Sequence, residues 1–136
     1  VSPRFGCCLE CVMAQPEFQC SVTVRHVPEH SDPHQGVTAW AYAIVVRNTG
    51  DITAQLVARH WVITDANGQV QEVRGLAVVG HQPVLAPGES FDYTSWVQLG
   101  TPSGTMRGTF FCMTEDARPF EAVVPEFALN LASALH

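Results

Sequence analysis

Apolar and polar residues alternate with a period of two through most of the chain. No stretch of ten or more residues in its body carries the 3.6-residue period of an amphipathic helix. A chain patterned this way has to bury one face of each strand against another sheet. Residues 18–27 place Phe18, Cys20, Val22 and Val24 on one face. Residues 37–47 are apolar on both, with Trp40, Tyr42, Ile44 and Val46 opposed to Ala39, Ala41, Ala43 and Val45. They predict a central strand covered on both sides. Residues 52–64 set Val57, Arg59, Trp61 and Ile63 against Leu56, Ala58, His60 and Val62. Asn67-Gly68 then tolerates the positive φ of a tight hairpin, and 69–74 is the return strand.

Further on, 75–82 reads as an apolar loop and 83–85 as a short extended piece. Residues 90–99, 106–114 and 120–124 are strands, and 127–135 is a last strand or helical turn. Turns fall every 8–12 residues. The expectation is an all-β chain: an antiparallel β-sandwich of 7–8 strands, fibronectin type III or immunoglobulin-like. Trp61 holds the third-strand core position of that class, and no cysteine pair supplies the immunoglobulin disulfide. The expected core includes Trp40 or Tyr42, Ile44, Trp61, Ile63, Val79, Phe91, Tyr93, Phe110 and Val123.

With 136 residues the chain is one domain's worth, and hydrophobic residues at 46% are enough to fill a core. Seven basic residues, all Arg, face 13 acidic ones, for a net charge of −6. An acidic chain without a basic run argues against nucleic acid and anionic membrane as partners. No apolar run reaches the roughly 20 residues of a membrane helix. Cys7, Cys8 and Cys11 crowd the start of a chain with five cysteines, whose first twelve residues read as a poor secretory signal. That odd count favours reduced thiols and a cytoplasmic setting.

Several uncommon strings follow one another in order: Val46-Arg47-Asn48-Thr49-Gly50, Arg59-His60-Trp61-Val62-Ile63-Thr64-Asp65, Val78-Val79-Gly80-His81-Gln82-Pro83, Ala86-Pro87-Gly88-Glu89 and Pro102-Ser103-Gly104-Thr105-Met106-Arg107-Gly108. They resemble the bacterial ApaG family over about residues 17–131. The resemblance implies a fibronectin type III-like domain at 17–136, preceded by a flexible segment at 1–16. It also implies a role in cobalt and magnesium resistance or efflux and no established enzymatic activity; with no membrane-helix run in the sequence, that role is expected to act through a partner protein, by a monomer or homodimer.

Three constellations carry candidate chemistry. Gly75-Leu76-Ala77-Val78-Val79-Gly80 matches a Gly-x-Gly-x-x-Gly loop except at Ala77, and no helix follows it to complete a dinucleotide site. With Arg59, His60 and Arg74 nearby, this loop is the candidate site for a phosphorylated ligand such as a nucleotide or pyrophosphate, bound or hydrolysed. The plainer reading is a chain reversal whose end glycines serve backbone geometry, with Gly80 at positive φ and both arginines paired to Glu72 or Asp65. His26, His30 and His34 recur every four residues and are candidate ligands for a divalent metal, although Pro28 and Pro33 deny them a regular helix. Cys8 and Cys11, with Cys7 and Cys20, make a single thiolate knuckle. No catalytic motif and no obligatory cofactor is expected. Cys112 reads as a buried, inert thiol, and Trp96 as either core or a widened apolar contact surface.

Overall fold

The computed structural model describes residues 14–130, apart from the Pro33 side chain, and the cysteine cluster at 7–11 lies outside them. Eight strands form: β1 Phe18–His26, β2 Thr38–Asn48, β3 Ala54–Asp65, β4 Val70–Leu76, β5 Val84–Leu85, β6 Ser90–Leu99, β7 Gly104–Thr114 and β8 Pro119–Leu129. Two antiparallel sheets result. One has the order β1-β2-β6, and the other β4-β3-β7-β8 with β5 against the start of β3. The expected eighth segment at 127–135 is instead the continuation of β8, as far as it is described.

The sheets meet on a core of Trp40, Tyr42, Ile44 and Val46 from β2 and Leu56, Trp61 and Ile63 from β3. Met106, Phe110 and Cys112 from β7 complete it with Ala122, Val124 and Leu129 from β8. Trp61 is the hub. Its ring lies 5.5 Å from Tyr42, 5.8 Å from Phe110 and 6.3 Å from Phe127, all edge-on, the geometry that aromatic quadrupoles favour. Phe91 and Tyr93 pack on this core half-buried.

Period-two reading misses by one residue in three places, each with a local cause. A β-bulge lies between Leu56 and Ala58. It puts Leu56 and Trp61 on the same buried face, where alternation opposes them. Val123 is 62% exposed, because Ala122 and Val124 are the residues opposite inward-facing Phe110 and Gly108. Val79 is 57% exposed and Val78 fully buried, because Val79 sits at the tip of a turn. β2 is covered on both sides only at its start, where Val27 packs on Ala39 and Ala41. Farther along, Val45 faces solvent.

The turn after β4 is unusually tight. Val78 and His81 exchange both backbone hydrogen bonds, at 2.8 and 2.9 Å. Val79 at φ 48° and Gly80 at φ 82° lie between them. Two successive positive φ values mark a type I′ turn. Nothing lies within 4 Å of a Cβ built on Gly80. The glycine is therefore required by conformation and not by space. Ala77, at φ 69°, is a non-glycine in the same left-handed region.

Two substitutions separate conformation from contact. Gly80→Ala is expected to lower stability by about 1 kcal/mol, and Ala77→Gly to raise it by up to about 1 kcal/mol. Urea unfolding with an unchanged m-value reads both.

Candidate functional site: an inter-sheet groove floored by Arg59

The two long sides of the sandwich differ. On one, β1 and β8 close against each other, with Phe18 stacked edge-on against Phe120 at 5.3 Å. On the other, the edge strands β4 and β6 stand apart around a cavity of about 590 Å³. Tyr42, Trp61, Ile63, Val73, Val97 and Met106 give it apolar walls, and Gln71, Ser95 and Gln98 add polar ones. Trp96 reaches only the rim. Its strand position is opposite Ala41 on the outer face of the three-stranded sheet, where its ring stacks on His30 at 4.6 Å.

Among the described residues Arg59 is the single charged one lining this groove. Its position follows from register: Arg59, Trp61 and Ile63 share the inward face of β3, and Arg59 is directly opposite Gly75. The guanidinium lies over that bare backbone. A Cβ on Gly75 would come within 2.8 Å of Nη1 and 3.1 Å of Nη2. Nη1 donates to the carbonyl oxygens of Leu76 and Ala77, both at 2.9 Å. Arg59 makes no ion pair among the described residues, and its Nε and Nη2 make no hydrogen bond there. The anion-loop glycine Gly75 thus serves to seat a cation.

The remaining residues of the expected phosphate site separate. His60 and Arg74 are a cross-strand pair on the outer face of the sheet. There the His60 Nε2–H donates to Glu72 Oε1 at 2.8 Å, and Arg74 lies 3.5 Å from the same oxygen. Arg59 and Arg74 therefore do not converge, and of the two only Arg74 pairs with Glu72. Gly80 lies at the turn tip. The loop amides are largely engaged: Ala77 donates to Val57, and Val78 and His81 to each other. Among the described residues only Val79 and Gly80 make no backbone bond there.

The three histidines are not gathered. His26 stacks on Trp40 at 5.0 Å, and His30 on Trp96. His34 is exposed in a 3-10 turn, where its backbone N–H donates to Asp32. Among the described residues no three His, Cys, Asp or Glu side chains are arranged to hold a metal.

Electrostatics in and around the groove follow burial. Desolvation pushes the Tyr42 and Tyr93 phenols up, and the nearby Arg59 partly opposes this. The Tyr93 hydroxyl is buried with no hydrogen-bond partner among the described residues. Burial raises Cys20 to about 11 and Cys112 to about 12, so neither thiol is a thiolate at neutral pH. On the surface, the hydrogen bond from His60 holds the Glu72 carboxyl below its ordinary 4.5. Thr114 first, then Arg118, hold Asp116 below 3.8.

The architecture defines an antiparallel β-sandwich domain of the fibronectin type III-like kind. An ApaG domain profile matches residues 28–114, and the chain belongs to the ApaG domain family. It is 57% identical to Protein ApaG of Ralstonia nicotianae over 124 residues, which are 91% of this chain and all of that one. It is 55% identical to Protein ApaG of Bordetella pertussis over 88% of this chain and 92% of that one. The crystal structure of the ApaA protein from Bordetella pertussis superimposes with a TM-score of 0.82 at 54% identity, covering 85% of this chain and 94% of that one.

The Arg59 seat is testable by a double-mutant cycle. Gly75→Ala and Arg59→Ala should each cost about 1–2 kcal/mol by disturbing the same two hydrogen bonds, and together clearly less than the sum. Glu72 and Asp116 also predict a pH dependence. Both folded values lie below the unfolded ones, so their contribution is present above the ordinary carboxylate range and is lost as pH falls through the lowered values. The melting temperature should decline on acidification below about pH 4.5. Glu72→Gln with Asp116→Asn should flatten that decline slightly, since both groups are solvent-screened.

Proposed function

We propose that this ApaG chain is a non-catalytic binding module whose groove between β4 and β6 receives an extended segment of a partner protein, and that it serves cobalt and magnesium homeostasis through that partner. One observation carries the reading: among the described residues the sandwich is open along the side where the edges of β4 and β6, unpaired there, flank a cavity with apolar walls and a few polar groups. Edge strands offer free N–H and C=O groups to an added strand. Apolar walls between them take side chains on one face of that strand.

A phosphorylated ligand on the loop after β4 has less support. The loop turns carbonyl oxygens toward Arg59, and most of its amides are engaged.

The test compares a groove variant with an outer-face variant in a cobalt-sensitive strain lacking this protein. Val97→Asn should fail to restore tolerance and should lose the co-purifying partner, while Val123→Asn, 62% exposed on the opposite face, should keep both. A fully active Val97→Asn protein with an unaltered melting temperature would remove the groove from the function.

A further inference from the structure

Resting on the groove as a protein-binding site, we propose that Arg59 reads a carboxylate, so that the segment the groove accepts carries an acidic residue among apolar ones. The argument begins with an imbalance. The chain has 13 acidic residues against seven basic, yet the single charged group in the groove is a cation with no carboxylate partner among the described residues. Arg59 is only partly exposed, so its charge is incompletely solvated and favours an anion brought to it.

The guanidinium is also held in advance. Two carbonyls grip Nη1, and bare Gly75 lets the plane lie against the backbone. That leaves the donors of Nε and Nη2, the edge that binds a carboxylate through two parallel hydrogen bonds. Because the side chain is already ordered, little further rotamer entropy is lost on binding. The surroundings set the rest of the specificity. Trp61, Val73 and Val97 wall the groove beside Arg59, and they suit apolar neighbours of the acidic residue. Free carboxylic acids and phosphates share the anionic chemistry. The flanking strand edges favour a carboxylate delivered on an extended backbone.

The experiment pans a random linear heptapeptide phage library against the full chain, then measures the selected peptides by calorimetry. Selected sequences are expected to contain Asp or Glu between apolar residues. Glu→Gln in such a peptide should weaken binding about tenfold or more, and so should Arg59→Gln in the protein, with little further loss when the two changes are combined. The peptide-side change probes the contact without touching the fold, and Arg59→Lys, which keeps a cation but loses the fork, should fall between. Peptides that bind, are lost with Val97→Asn, and are indifferent to both Glu→Gln and Arg59→Gln would overturn the carboxylate inference while leaving the groove as a docking site. No selected peptide, or peptides insensitive to Val97→Asn, would overturn both. Inorganic pyrophosphate that displaces the peptides and binds more tightly through Arg59 would reassign the anion to phosphate.

Discussion

Burying Trp61 between two sheets is the constraint on which the rest of this molecule depends. The indole touches Tyr42 from the facing sheet and Phe110 and Phe127 from its own, so it fixes both the spacing and the lateral offset of the layers. Its neighbour two residues back on the same face is Arg59. A large ring that holds the sheets apart thus places a guanidinium on the inner face of the gap it creates. At β1 and β8 the sheets close on the edge-on pair Phe18 and Phe120.

Arg59 in turn explains the loop after β4. A guanidinium on an inward face needs acceptors and a place to lie. Leu76 and Ala77 turn their carbonyls toward it, and Gly75 withholds a side chain. Turning the chain so soon afterwards requires left-handed conformations at Ala77, Val79 and Gly80, and only one of these is glycine. For alanine or valine such a conformation carries local strain. Here it coincides with the segment that mounts the groove's cation.

Much of this was legible in the residues alone. Alternation, the Asn67-Gly68 hairpin and the buried Trp61 are local signals, and they lead to an antiparallel sandwich of seven or eight strands. What they miss is relational. A period of two has no way to announce an inserted residue, so the bulge beside Val57 reverses the apparent faces of Leu56 and Trp61. The positions of Val79 and Val123 depend on which residue stands opposite, which is a property of pairing. Arg59 and Arg74 look like neighbours in a list of basic residues, and register sends them to opposite faces. The role of Gly75 also depends on register, since the residue that needs its emptiness is 16 positions away. The groove depends on which edges stay unpaired, and no single strand encodes that.

The closed side of the sandwich has a consequence for whatever the groove receives. β1 and β8, the first and last strands of the described residues, both lie there, away from the groove. The start of β1 and the end of β8 fall toward opposite ends of the sandwich, because the start of β1 meets the start of β8 at Phe18 and Phe120. The chain enters β1 and leaves β8 on that side among the described residues. No residue of β1 or β8 lines the groove, so a segment seated there is met by the other strands alone and leaves the closed seam untouched.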